Sequence, residues 1–182
     1  PLTIGGGINN IDQISKIIDH GVEKVSLNST LNNNTKIIEE AANKFGSQSV
    51  VVSIDTKKID NEYKIFYENG KKQSKISILE YLKLIESSGA GEIVLTSIDN
   101  EGKRCGFDLN LYELCQNQTF LPIVANGGAE NINSFVELFD NTSLASASAG
   151  ATFVFYGSRK AVLINYPSQD EIKKIMNKYE NN

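Results

Sequence analysis

The residue best placed for acid–base chemistry is Asp55, which directly follows the most apolar run of the sequence, residues 49–54. Such a run is typical of a parallel strand that is buried on both faces. Active sites of parallel α/β folds lie at the carboxyl ends of strands, so Asp55 is a candidate general acid or base, with a loop cap as the alternative. Asp99 and Glu101 follow the next strand and could position a substrate, assist Asp55, or cap their loop.

Two glycine-rich loops, each between a strand and a helix, are candidate phosphate sites. The first contains Gly7 and the second contains Gly128. Glycines here let backbone N–H groups approach an anion, and the next helix adds the positive end of its dipole. Two other strand ends could complete one cradle each, with Asn28 and Ser29 at one and Gly150 and Ala151 at the other. A substrate with two phosphates would use both loops, whereas ordinary turns are the alternative.

Two charged residues, Lys24 and Glu92, stand at the amino ends of predicted buried strands. A charge that enters a buried strand is costly unless it is paired. On the residues alone, a surface salt bridge is the simplest explanation for both of them.

The composition excludes several classes of protein. The 182 residues have a net charge of -4 and a pI near 5.1, which argues against a nucleic-acid-binding surface. No apolar run is long enough for a membrane span and no signal-peptide pattern opens the chain, so we predict a cytoplasmic protein. The only cysteines, Cys105 and Cys115, and the only histidine, His20, supply neither a disulfide scaffold, nor a metal cluster, nor a catalytic triad. We therefore predict no metal and no cofactor.

The candidate residues must be held by a chain that alternates strands and helices. The hydrophobic pattern predicts strands over residues 2–4, 24–27, 49–54, 92–96, 121–125 and 144–149. It predicts helices over residues 11–18, 34–45, 77–88, 109–115, 131–139 and 168–179, with a hairpin arm at 63–67 and a loop around 156–157.

Six strand-then-helix units predict a single α/β domain over residues 1–182, with a mostly parallel sheet. That sheet could be open and doubly wound, or it could be part of a (β/α)8 barrel. The second Gly-Gly loop lies about four units after the first, and this recurrence favours a duplicated half-barrel.

Residues 2–155 resemble the cyclase subunit family of imidazole glycerol phosphate synthase. The matching blocks are residues 3–8, 24–28, 45–48, 51–55, 89–93, 95–99 and 126–129. The resemblance implies a (β/α)8 TIM barrel that requires no cofactor. It also implies that a partner glutaminase subunit delivers ammonia at the amino-terminal face, and that a bis-phosphorylated ribulosyl carboxamide is cyclised at the carboxyl face.

The resemblance assigns roles to individual residues. Asp55 matches one of two catalytic aspartates, and Lys24 and Glu92 match two of four charges around the ammonia entrance. Phosphate-binding positions are matched by Gly7, Asn28, Gly102 and Gly128. The other catalytic aspartate belongs to the family's first strand, and this chain begins at what would be the third strand. We therefore expect six of the eight barrel units, and an isolated chain without activity.

The sequence departs from the family around the phosphate sites. Glu101 stands where an aspartate is usual, and Asn126 and Ala151 stand where serines are usual. Together with residues 153–167, these departures are similar to a paralogous branch. That branch channels ammonia to a sugar amidotransferase, which makes acetamidino groups on bacterial surface or flagellar sugars.

Two further alternatives remain open at this point. The altered serine positions also fit a non-enzymatic scaffold that docks a glutaminase and a sugar amidotransferase. The sibling sugar isomerase of histidine biosynthesis shares the two-phosphate half-barrel plan, but Lys24, Glu92 and the block at 45–48 argue against it.

Overall fold

The computed structural model describes residues 1–157, 161–164 and 166–173. The strands are β1 (Thr3–Gly5), β2 (Lys24–Leu27), β3 (Val50–Ile59), β4 (Glu62–Tyr67), β5 (Lys72–Gln73), β6 (Glu92–Ser97), β7 (Ile123–Asn126), β8 (Ser146–Ser148), β9 (Phe155–Tyr156) and β10 (Ala161–Val162). The helices are α1 (Ile11–Asp19), α2 (Lys36–Phe45), α3 (Ile78–Ser87), α4 (Leu109–Gln116), α5 (Ile132–Asn141) and α6 (Ala151–Val154).

The parallel strands pair in the order of the chain, β1-β2-β3-β6-β7-β8, and the hairpin strands β4 and β5 extend from β3. A doubly wound sheet would contain a switch point, with later strands added on the far side of β1. The sequential order is instead that of a barrel wall, and with the intervening helices it forms a partial (β/α)8 barrel. The prediction of barrel type is therefore confirmed.

The two faces of the sheet differ in chemistry. The outer face packs against the helices and is buried and apolar, with Val25, Leu27, Val50, Val52, Ile54, Ile93, Leu95, Ile123 and Ala125. Burying each large aliphatic side chain contributes about 1.5–3 kcal/mol. The inner face is the opposite one, and it presents Lys24, Ser26, Val51, Ser53, Asp55, Glu92, Val94, Thr96, Val124, Asn126, Ser146 and Ser148. Most of these inner residues are polar and partly exposed.

Side-chain caps fix the starts of several helices. The Asn10 side chain accepts a hydrogen bond from the backbone N–H of Gln13 at the start of α1. Ser77 and Glu80 form a reciprocal capping box at α3. Because each cap sits directly after a strand or loop, the helix starts are held near the carboxyl edge of the sheet.

Strand β3 is longer than predicted, because it leaves the barrel wall and continues into a hairpin. It pairs in parallel with β2 and β6, and its second half also pairs antiparallel with β4. Asp60 and Asn61 form the two-residue turn with φ of 49° and 64°, the left-handed geometry that such hairpins require. Tyr63 Oη donates to Asp108 Oδ1 at 2.7 Å, which ties the hairpin to the start of α4. The predicted hairpin arm is confirmed.

The last part of the described chain differs from the predictions. Of the loop predicted around residues 156–157, Gly157 lies in a turn, whereas Tyr156 belongs to β9, which pairs antiparallel with β10 and follows the helical turn α6. A single helical turn and two-residue strands are too short to leave a periodic pattern in the sequence. Of the helix predicted over 168–179, residues 169–173 are helical and the remainder lies outside the described residues.

Candidate active site

Four polar residues lie in one row across the inner face, where the neighbouring strands reach the carboxyl edge of the barrel wall. Strand pairing places Asp55 beside Thr96, Thr96 beside Asn126, and Asn126 beside Ser148. Paired residues of parallel strands point to the same face, so the four side chains meet, and we call them the polar row. Asp55 and Asn126 are predicted site residues, whereas Thr96 and Ser148 are not. The period-two alternation from Glu92 along β6 is the signal that would have identified Thr96.

Asp55 lies partly buried between two hydrogen-bond donors. Asn28 Nδ2 donates to Asp55 Oδ2 at 2.9 Å, and strand pairing places the Thr96 hydroxyl beside the carboxyl group on the other side, where it favours the carboxylate. Burial raises the pKa of Asp55 above its ordinary value, and the two hydrogen bonds, which favour the carboxylate, oppose that rise. A carboxyl group with a raised pKa is suited to exchange protons nearer to neutral pH.

The amide of Asn28 has a second polar atom at the same place. Asn28 Oδ1 is buried and finds no hydrogen-bond partner among the described residues. A buried acceptor of this kind is costly to leave unpaired. Asn28 is predicted as a phosphate-binding residue, and its hydrogen bond to Asp55 shows that its side chain lies beside the candidate acid–base group.

The polar row continues beyond Thr96 through side-chain hydrogen bonds. Asn126 Nδ2 donates to Thr96 Oγ1 at 3.0 Å, and Ser148 Oγ donates to Asn126 Oδ1 at 2.8 Å. From the outer side, the buried Tyr112 hydroxyl donates to the Asn126 backbone carbonyl at 2.8 Å. The row is thus a connected network that spans β3, β6, β7 and β8.

The loop after β6 contains three further predicted site residues. The Asp99 carboxylate accepts a hydrogen bond from the Lys58 backbone at 2.8 Å, which fastens the loop to the hairpin. Glu101 is exposed, and Gly102 adopts a φ of +70°. The Asp99 contact supports the loop-capping alternative, and substrate positioning by Asp99 and Glu101 stays a prediction.

The first glycine loop is open to solvent. Gly7 has a φ of +70°, and a Cβ added there would meet nothing within 4 Å. The neighbouring strand end does not point its side chains at this loop, because Asn28 bonds Asp55 and Ser29 Oγ accepts from the Glu68 backbone. An anion in this loop would therefore be bound by backbone N–H groups.

The second glycine loop is closely packed. A Cβ on Gly128 would stand 2.1 Å from the Gly106 carbonyl oxygen, and the Gly106 N–H donates to the Gly128 carbonyl at 2.8 Å. The structure brings the predicted residues together in a cleft of about 10 Å³, lined in part by Glu101, Gly102, Asn126, Gly128, Gly150 and Ala151. This volume suits one water molecule, so a phosphate group would require these loops to open.

At the amino end of the inner face, Lys24 and Glu92 form an ion pair. Lys24 Nζ lies 2.5 Å from Glu92 Oε2, with 33% and 22% of the two side chains exposed. Because β2 and β6 flank β3 on opposite sides, the pair crosses over β3 near the fully buried Val51. Glu92 lies four residues before Thr96, so about 13 Å of strand separates the ion pair from the polar row.

The part of the chain that the structure describes holds neither a metal cluster nor a membrane helix. Within residues 1–157, 161–164 and 166–173, no group of three or more histidine, cysteine or acidic side chains could hold a metal ion. In the same ranges, no helix combines the length and the apolar character that crossing a membrane requires.

Comparison with known proteins identifies relatives of this architecture. The family model described as "Histidine biosynthesis protein" matches residues 1–159. A "Putative imidazole glycerol phosphate synthase subunit hisF3" of Vibrio vulnificus is 42% identical over 178 residues, which cover 97% of this chain and 68% of that protein.

Two further relatives have related names. The protein of Pseudomonas aeruginosa named as the corresponding hisF2 subunit, likewise with the qualifier "Putative", is 42% identical over 94% of this chain and 69% of its own length. The imidazole glycerol phosphate synthase subunit HisF of Sulfolobus acidocaldarius is 41% identical over 81% of this chain and 59% of its own length.

Proposed function

The chain belongs to the histidine biosynthesis protein family, and on that premise we propose that it acts as the cyclase subunit of a cytoplasmic imidazole glycerol phosphate synthase. The reaction uses ammonia to convert a bis-phosphorylated ribulosyl aminoimidazole carboxamide into imidazole glycerol phosphate and aminoimidazole carboxamide ribotide. The enzyme is thus a cyclase that works within a glutamine amidotransferase complex.

The observation that carries the proposal is the setting of Asp55. Closure of an imidazole ring requires protons to be removed from nitrogen and delivered to departing oxygen. Asp55 is a partly buried carboxyl group at the carboxyl edge of a barrel wall, with a raised pKa and a side chain oriented by Asn28 and Thr96. These properties suit a group that alternates between general base and general acid.

The two glycine loops supply the phosphate sites of this proposal. Gly7 belongs to the open loop after β1, and Gly128 belongs to the closely packed loop after β7. The phosphates of the substrate would anchor its two ends so that the reacting carbons lie over Asp55. Gly102, Gly150 and Ala151 would close over the second phosphate when their cleft opens.

The ion pair of Lys24 and Glu92 is the proposed entrance for ammonia. It lies at the end of the inner face opposite to Asp55, where a partner glutaminase subunit would dock. Ammonia is neutral and small, so it can pass an ion pair that would repel or retain a free ion. Movement of one partner would open the route along the inner face.

A second candidate function is favoured by the composition of the second phosphate cleft. Asn126 and Ala151 stand in place of the serines usual in the cyclase family, and Asn126 is engaged in the polar row. The replacement of these serines supports membership of a paralogous branch, which does not cyclise a substrate but passes ammonia to a sugar amidotransferase. In this case the inner face would serve as a conduit.

Turnover of the cyclase substrate with ammonium salt distinguishes the two functions. The protein isolated from its native source is expected to form imidazole glycerol phosphate. Asp55→Asn should reduce the rate of this reaction by about 10²–10⁴-fold. Asp19→Asn, an exposed change in the last turn of α1, serves as the matched control and should keep the native rate. No product from the native protein at any ammonium concentration would contradict the cyclase proposal and favour the sugar branch.

A further inference from the structure

The hydrogen bonds of the polar row run in one direction, from Ser148 toward Asp55. A hydroxyl has one hydrogen to donate, and the shorter contact of Ser148 Oγ is to Asn126 Oδ1 at 2.8 Å, against 3.4 Å to the Ala125 carbonyl. Because the oxygen of the Asn126 amide accepts from Ser148, its nitrogen faces Thr96 Oγ1 and donates to it at 3.0 Å. Thr96 Oγ1 accepts from Asn126 and so keeps its own hydrogen to donate, and strand pairing places Thr96 directly beside Asp55.

An asparagine at position 126 is well suited to this arrangement. Its amide separates an acceptor atom from a donor atom, so it can receive from one strand and donate to the next. The Tyr112 hydroxyl, at 2.8 Å from the Asn126 carbonyl, holds the backbone of this residue from the outer side. The orientation of the side-chain amide is fixed by Ser148 on one neighbouring strand and by Thr96 on the other.

We propose that Ser148 is a positioning residue for Asp55, acting through Asn126 and Thr96 to keep a hydroxyl donor aimed at the carboxylate. The inference rests on the proposed function, in which Asp55 exchanges protons with the substrate. Without Ser148 the Asn126 amide loses its orienting partner and can turn, and its oxygen would then compete with Asp55 for the Thr96 hydrogen. The carboxylate would lose a donor that favours its charged form, although Ser148 never touches it.

The charged groups on the elements around Asp55 include two ion pairs, and Lys57 is an exposed cation two residues along β3 on the same face as Asp55. On the flanking strands they are Lys24, Glu62, Lys64 and Glu92, which form the ion pairs Lys24–Glu92 and Lys64–Glu62. Lys57 lies further along β3, Asp99 and Glu101 follow β6, and Lys36, Glu39, Glu40 and Lys44 belong to α2 behind the outer face. The neutral donors Asn28 and Thr96 are the groups that hydrogen-bond the Asp55 carboxyl group.

Carbon-13 NMR titration of the aspartate carboxyl groups in the full chain tests this proposal without substrate. Thr96→Val is expected to raise the Asp55 pKa by about one unit, because it removes a hydrogen bond to a charged acceptor. Ser148→Ala and Asn126→Leu should raise it by a smaller amount. Thr96→Ser and Ser148→Thr keep the hydroxyls and should return it close to the native value.

Ser146→Ala is the matched control, since Ser146 lies on the same face of β8 but outside the polar row. Its Asp55 pKa should equal the native value. If Ser148→Ala and Asn126→Leu both titrate as Ser146→Ala does, with native amide spectra, the proposal is overturned. Because the titration requires no turnover, a rise in the Ser148→Ala protein would support the positioning role even if the cyclase activity proved absent.

Discussion

The two ends of the inner face hold their charged groups in opposite ways. At the amino end, Lys24 and Glu92 neutralise each other through a direct ion pair over β3. At the carboxyl end, Asp55 is partly buried between two neutral groups, with the Asn28 amide donating on one side and the Thr96 hydroxyl beside it on the other. Both ends belong to the same strands, about 13 Å apart.

The amino end therefore holds charges that neutralise each other, whereas the carboxyl end holds a carboxyl group that can still gain and lose a proton. A paired ammonium and carboxylate satisfy each other and present little net field to a neutral molecule that passes them. A carboxyl group that has only neutral donors keeps its own titration, and burial moves its pKa upward. This difference supports the proposal that ammonia passes at the amino end and that protons are transferred at the carboxyl end.

The largest expected effect concerns how tightly the carboxyl end is packed around the polar row. Gly128→Ala should lower the free energy of unfolding by about 3 kcal/mol or more, because its Cβ would overlap the Gly106 carbonyl oxygen. Gly7→Ala is the matched control. It has open space and should lose only about 1–2 kcal/mol from the positive φ. Urea unfolding measures both losses, and equal losses would show that the second loop is as open as the first.

A smaller effect is expected from removing the charge of Asp55. Burial raises its pKa above the ordinary 3.8, so the folded protein holds this proton more tightly than the unfolded chain does. The stability that follows from this is complete below pH 3.8 and is lost as the pH rises through the folded-state pKa. At neutral pH the carboxylate thus destabilises the fold, and Asp55→Asn should raise Tm by a few degrees.

Thermal melts at several pH values check the sign of that effect. The Tm difference between Asp55→Asn and the native protein should shrink as the pH falls through the folded-state pKa toward 3.8, and it should stay constant below that value. Glu92→Gln removes a carboxylate at the other end and should show no such gain, because it leaves Lys24 without its partner. A lower Tm for Asp55→Asn at neutral pH would contradict the description of Asp55 as a desolvated group.

The smallest effect is expected for the coupling of the ion pair itself. A double-mutant cycle with Lys24→Met and Glu92→Gln should give a coupling free energy of up to about 1 kcal/mol, because both side chains are partly exposed. The coupling should fall at high salt. A coupling of several kcal/mol that ignores salt would show that the amino end is a rigid structural anchor, which is unsuited to opening for ammonia.

The sequence predicted most of the strands and helices, and the position of Asp55 after a buried apolar run, because these features leave local signals. The apolar run before Asp55 and the caps at Asn10 and Ser77 depend on residues close in the chain. The polar row was only half predicted, because the contacts of Thr96 and Ser148 depend on strand register between segments far apart in the sequence. For the same reason, the two Gly-Gly loops look equivalent in sequence but differ in packing, since Gly106 approaches Gly128 from a distant loop.

The proposed separation of ammonia passage at one end from proton transfer at the other is tested most directly by comparing turnover with two nitrogen sources. The measurement is the rate of product formation with glutamine and with ammonium salt, using the native protein together with the proposed glutaminase subunit. We predict that Asp55→Asn lowers both rates by the same factor of about 10²–10⁴, whereas Glu92→Gln lowers the glutamine-driven rate and leaves the ammonium-driven rate near the native value. An Asp55→Asn protein that still turns over ammonium at the native rate would contradict the account.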